Sequence, residues 1–157
     1  MSANYFAHVI FTPASLPAVA ADVFYAGQAA GSSGNFTRLG QFRATGTTYN
    51  SRAPAVGTIA SAIVSASAVA NTLSKAVQRF DGATLYNHVN AIAEVTAVVS
   101  GAPAQAGFDQ ALIGMFGQTN TLQFPLDGWI HEIRIYGAFG TAGNKTDAQT
   151  YATSKWG

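Results

Sequence analysis

The sequence contains no cysteine among its 157 residues. Disulfide frameworks, thiolate metal sites and cysteine nucleophiles are therefore all excluded. Compartment stays open, because a domain of this size buries roughly 68–70% of its unfolded surface and folds without staples. Charge is scarce as well: 10% of the residues are charged, against about 25% in typical soluble domains. The cations Arg38, Arg43, Arg52, Lys75, Arg79, Arg134, Lys145 and Lys155 stand singly, and the formal balance is +1. Nucleic-acid binding needs clustered cations that release counterions from phosphate, so it is not expected. No apolar run approaches the roughly 18–20 residues of a membrane span, so membrane insertion is not expected either. The opening MSANYFAHVIFTPASLPAVAAD ends in a cleavage-like AVAA, yet no Lys or Arg precedes its apolar part, and His8, Pro13 and Pro17 interrupt it. It reads as part of the fold, not as a signal peptide.

What fills the chain instead is Ala, Gly, Ser, Thr, Asn and Gln, a composition that suits packing against neighbours because association desolvates little charge. Period-two alternation recurs between Gly, Pro, Asn and Asp clusters, the pattern of an all-β domain. Strands are expected at 4–11, 21–27, 36–44, 108–117 and 120–124. In AVQRF-DG-ATLYNHV, two alternating runs flank Asp81-Gly82, which predicts a type I′ hairpin turn. VGTIASAIVSASAVANTL is ambiguous: Ile59, Ser61, Ile63 and Ser65 fit one face of a strand, while Ile59, Ile63, Ala66, Ala70 and Leu73 fit a helix. Strand over about 56–66 is preferred for its Val, Ile, Ser and Thr content. The terminal NKTDAQTYATSKWG reads as a short helix with a capping box at Thr146 and Gln149, Asp147 in the first turn and Lys155 in the last. Ala148, Ala152 and Trp156 share one face, docking the Trp on a sandwich. With no repeat, linker or composition break, residues 1–157 are expected to form a single domain.

GWIHEIRIYG (128–137) places a histidine beside a glutamate. A zinc-protease site needs H-E-x-x-H on a helix, so that both rings face one metal. Here the second histidine is missing and the alternation is that of a strand. His131 is expected on the face of Trp129, Ile133 and Ile135, and Glu132 on that of Ile130, Arg134 and Tyr136. The pair then points to opposite sides, and Glu132 is free to pair with Arg134.

FPLDGWIHEIRIYG, followed by a loop and DAQTYATSKWG, resembles the last strand and C-terminal helix of concanavalin A-like, laminin-G-like jelly rolls. Gly128, Ile130, Glu132, Ile133, Arg134, Ile135 and Tyr136 match the family's strand, and Tyr151, Lys155, Trp156 and Gly157 match its helix. RFDGATLYNHVNA resembles the family's central hairpin, with Tyr86, Asn87, His88, Val89, Asn90 and Ala91 where a Tyr-x-Asn-Gly turn is usual. LIGMFG (112–117) resembles its Leu-x-Ile-Gly strand. The resemblance is good over about 75–157. It implies an all-β, two-sheet antiparallel jelly-roll sandwich with a short C-terminal helix, and it names no ligand.

Glycosidases resembling this family carry paired carboxylates on one strand, whereas the acids here, Asp22, Asp81, Glu94, Asp109, Asp127, Glu132 and Asp147, never fall within four residues of each other. The GSSG at 31–34 lacks the nucleophile elbow of serine hydrolases. No Asp-rich loop offers a calcium site, Asp109 and Asp127 being the nearest to candidates. No enzyme activity, metal or cofactor is expected. Phe6, Phe42, Phe80, Phe108 and Phe124 read as core. For sugar binding, Tyr25, Tyr49, Asn50 and Arg52 are the best loop-borne candidates, offering aromatic faces and amide or guanidinium donors. Compact laminin-G-like domains without catalytic acids also resemble small phage virion proteins. The leading expectation is a non-catalytic protein of the virion surface, a capsid decoration or a tail or fibre adhesion module. Its partners would be other virion proteins, with self-association or lattice binding, and cell-surface glycans. The alternative is a lectin-like glycan-binding module of a secreted, extracellular protein.

Overall fold

The computed structural model describes residues 4–16, 20–27, 36–43, 48–54, 59–64, 69–98, 110–118, 121–123, 125–137 and 140–157. They form two five-stranded antiparallel sheets, a two-stranded ribbon and one helix. The strands of the first sheet are β1 (Tyr5–Pro13), β6 (Ser74–Phe80), β7 (Thr84–Val89), β8 (Val95–Val98) and β12 (Gly128–Tyr136), in the order β12-β1-β6-β7-β8. The second sheet contains β2 (Ala20–Gly27), β3 (Phe36–Arg43), β4 (Tyr49–Pro54), β5 (Ile59–Val64) and β9 (Gln110–Ile113), in the order β5-β4-β3-β2-β9. β10 (Phe116–Gln118) and β11 (Thr121–Gln123) form the ribbon, and α1 spans Ala142–Trp156. The expected strand over 108–117 is thus broken near Gly114, whose positive φ of 73° turns the chain. Of the ambiguous stretch, Ile59–Val64 is a strand, and the expected ends at 56–58 and 65–66 lie outside the described residues.

Alternation explains how the layers meet. Tyr5, Ala7, Val9 and Phe11 of β1 point inward with Ala76, Phe80, Leu85 and Val89, and Val23 and Tyr49 close the core from the second sheet. Phe6 and His8 face the other way and are buried as well, because α1 lies across that outer face. Of the other phenylalanines expected inside, Phe80 is in the core, while Phe108 and Phe124 fall outside the described residues.

The β6–β7 hairpin forms at Asp81-Gly82 but not as a type I′ turn, which needs positive φ at both central residues. Only Gly82 has it, at 95°. The Asp81 carboxylate instead accepts the backbone N–H groups of Ala83 and Thr84 at 2.8 and 2.6 Å, which tightens a three-residue loop. These bonds hold the Asp81 carboxyl below its ordinary range despite the opposing effect of burial.

The helix begins one turn earlier than its sequence suggests. Thr141 is the N-cap: its hydroxyl accepts the Asn144 N–H at 3.3 Å, while the Asn144 side chain accepts the Thr141 N–H at 2.9 Å. Thr146 and Gln149 therefore form no capping box, and Asp147 lies beyond the first turn. The Thr146 hydroxyl donates back to the Ala142 carbonyl at 3.1 Å. Lys155 does stand in the last turn, where a cation complements the exposed carbonyls.

Candidate functional site

β12 departs from the regular strand that its sequence suggests. Ile10 pairs with Glu132 and Phe11 with Ile130, so His131 is the extra residue of a β-bulge. One consequence is that Ile130 and Ile133, three residues apart, both pack on the core. A second is that His131 and Glu132 lie on the same outer side, not on opposite ones. Both reach Trp156: the His131 ring lies 5.1 Å from it and the indole N–H donates to Glu132 Oε2 at 3.3 Å. His131 Nε2 also meets the Thr12 hydroxyl at 2.9 Å.

Glu132 is a structural hub. Its carboxylate pairs with Arg134, as the sequence suggests, and accepts from Lys155 Nζ at 3.0 Å and the Tyr151 hydroxyl at 3.1 Å. Partial burial pushes its pKa up, but the bonds from Lys155, Tyr151, Trp156 and Arg134 outweigh that and hold it at about 2. A carboxyl so acidic has no proton to give at neutral pH and cannot serve as a general acid. Glu94 is occupied in another way: Arg79 grips it with two bonds, Nη2 to Oε1 at 2.6 Å and Nε to Oε2 at 3.2 Å, and Lys145 approaches at 3.7 Å. Asp127 accepts from Ser15 at 2.6 Å. Among the described residues no three His, Asp or Glu side chains gather as a metal site.

The sugar-binding candidates fall on strands of the second sheet, not on loops. Tyr49 opens β4 with its side chain fully buried, 0% exposed, and its hydroxyl bonded to Ser74 at 2.6 Å. Burial pushes that hydroxyl's pKa up, more than the Ser74 bond lowers it. A ring shut in the core cannot stack on a sugar, so Tyr49 leaves the candidate set. The other three are related by register. Tyr25 pairs with Arg38, Arg38 with Arg52, and Arg52 with Ser61, and the register between β3 and β4 shifts between Arg38 and Gln41. Asn50 pairs with Gln41 in the neighbouring row. Arg38 was missed by the sequence reading, which looked for sugar ligands on loops; its pairing follows from a register that the sequence does not show.

Two cavities flank α1. The larger, about 850 Å3, is lined by Lys75, His88 and Lys145 among others. Its cations are already engaged, Lys75 with the Thr153 hydroxyl at 2.9 Å and Lys145 with Glu94.

No protein-family model matches the chain, and no curated protein matches it in sequence. Solved structures do. A CBM40 domain of the Ruminococcus gnavus IT-sialidase, bound to α2,3-sialyllactose, aligns with a TM-score of 0.76 at 11% identity, over 89% of this chain and 78% of that one. The leech intramolecular trans-sialidase aligns with a TM-score of 0.77 at 12% identity, over 93% of this chain and 23% of that one. The NanB sialidase of Streptococcus pneumoniae gives 0.78 at 18%, over 96% and 24%. The likeness shows the fold. It is a β-sandwich of the concanavalin A-like type, as the sequence resemblance implies. The chain spans about a quarter of the two whole sialidases, and the CBM40 domains among these neighbours are carbohydrate-binding modules, not catalytic domains.

Proposed function

We propose that the protein is a non-catalytic glycan-binding module that works outside the cell and takes a sialylated or similarly acidic sugar. The observation that carries this reading is the fold shared over 89% of the chain with a carbohydrate-binding domain that binds sialyllactose. It is the alternative named from sequence, and it takes precedence over a virion surface role, which no observation favours.

The pair Arg38–Arg52, with Asn50 two residues before Arg52, is the proposed ligand face. Two like charges at directly opposed positions of an antiparallel pair weaken a sheet. An acidic ligand reverses that balance, because guanidinium groups bind carboxylates through paired, charge-assisted hydrogen bonds.

A glycan array read with the wild-type protein and with Arg52→Ala tests the proposal. Saturable signal on sialylated glycans, lost in the variant, is the expected result. A blank array, or signal on sialylated glycans that Arg52→Ala leaves intact, would remove the reading or its site.

A further inference from the structure

The chain has two tryptophans, Trp129 and Trp156, and both reach the surface at one corner of the first sheet. Ile130 packs on the core, so its neighbour Trp129 points to the outer side, where it pairs with Thr12 of β1. The Thr12 hydroxyl meets His131 Nε2 at 2.9 Å, and the His131 ring lies 5.1 Å from that of Trp156. Thr12 and His131 thus form a polar floor between the two indoles, at the C-terminal end of α1.

The two indoles are used differently. Trp156, 36% exposed, has His131 against its ring, Lys155 Nζ 5.0 Å from its ring centroid and its N–H on Glu132. Trp129 is 59% exposed and has no ring, cation or hydrogen-bond partner among the described residues. Burial stabilises an aromatic side chain, so one left open beside polar groups marks a contact surface. We infer that this corner is a second binding site, for a neutral hexopyranose stacked on Trp129. The glycan class rests on the function proposed above; the place and the neutral ring rest on the corner itself.

A pyranose presents C–H groups on its face and hydroxyls around its rim, and the corner complements both. Trp129 supplies the open ring. For the rim there is exposed His131, whose Nδ1 has no partner among the described residues. Lys155 is 47% exposed and uses two of its three N–H groups on Glu132 and Tyr151, which leaves one for a hydroxyl. Charge gives no preference for an acid, because Lys155 and Arg134 both pair with Glu132. The exposed parts of the two indoles come to an area on the order of 200 Å2. That covers one sugar ring and falls well short of the roughly 800 Å2 per partner of a stable protein interface. The Arg38–Arg52 pair belongs to the other sheet and shares no residue with this corner.

The test is an NMR titration of the full 15N-labelled chain with cellobiose and maltose, with glycerol as the control polyol. Two indole N–H signals are expected, and Trp129→Ala, a change at an exposed side chain, assigns them by removing one. The Trp129 indole and the His131 amide shift saturably with at least one of the sugars, in the millimolar range, and not with glycerol. In Trp129→Ala the His131 response vanishes. Trp129→Phe, which keeps a smaller ring, weakens binding by roughly three- to tenfold. Arg52→Ala leaves the response intact, and Trp129→Ala leaves the affinity for 3′-sialyllactose intact, so the two sites stand or fall separately. No saturable shift up to about 100 mM of either sugar, or a His131 response that survives Trp129→Ala, would overturn the inference. So would an indole signal that moves with protein concentration alone, which would give the corner to a second copy of the chain.

Discussion

Glu94 and Glu132 fasten opposite ends of the same helix region, and they do so in contrasting ways. Glu94 is held mainly by one nearly buried guanidinium, with Lys145 farther off at 3.7 Å: the Arg79 side chain is 5% exposed, grips the carboxylate in a fork and donates to the Gly140 carbonyl at 2.8 Å, just before the N-cap. Glu132 is held at the helix C-terminal end by four partners, Arg134, Tyr151, Lys155 and Trp156, of which Arg134 and Lys155 are well exposed. One lock concentrates most of its strength in a desolvated pair. The other spreads it over several bonds that water screens. Both occupy carboxylates that a sequence reader would first suspect of catalysis.

The comparison predicts unequal consequences. Arg79→Ala leaves Glu94 only the more distant Lys145, strands the Gly140 carbonyl and should lower unfolding stability by about 3 kcal/mol, the lower end of the cost of breaking a buried pair from one side; chemical denaturation measures it. His8→Phe sharpens the picture through pH. Burial holds the His8 pKa in the folded state at about 4, below its ordinary 6.5. Protons therefore favour the unfolded chain, and stability present above pH 6.5 is lost as pH falls towards 4, by about 3 kcal/mol. In His8→Phe this loss should vanish from the acid limb of a denaturation series.

Glu132→Gln should cost less than Arg79→Ala, about 1–3 kcal/mol for charge-assisted bonds weakened but not removed. Glu132 is held near 2, below its ordinary 4.5. Its stabilisation is present above pH 4.5 and drains away as pH falls towards 2, a window below that of His8. If Glu132→Gln matched or exceeded Arg79→Ala in denaturant midpoint, the contrast between the two locks would collapse. The smallest effect expected is that of Thr141→Ala, which removes the N-cap hydroxyl and should cost about 1 kcal/mol in thermal melts.

These differences follow how much each region showed in the sequence. The C-terminal lock was partly legible because its members lie in one strand and the helix after it, and the Glu132–Arg134 pair needs only a two-residue spacing. The bulge at His131 was not, since no glycine or proline marks it and the register belongs to the partner strand β1. Arg79 and Glu94 are distant enough in sequence that only the folded sheet brings them together. β8 escaped notice because its outward residue Val98, 78% exposed, breaks the polar half of the alternation. The N-cap was missed because Asn144 does the work usually done by Glu or Gln. For the proposed ligand face, residue types alone pointed to Asn50 and Arg52, but also to Tyr25, two residues along β2 from the core residue Val23, and to Tyr49, whose burial only the packed sandwich reveals. Arg38 needed the pairing of β3 with both its neighbours.

Calorimetric titration of the intact protein with 3′-sialyllactose and with lactose, repeated on Arg38→Ala and Arg52→Ala, tests the proposed function most directly. The expected result is saturable binding of the sialylated sugar alone at the second sheet, weakened by roughly tenfold or more in each variant. Equal heats for both sugars, or affinity for sialyllactose untouched by either substitution, would contradict it.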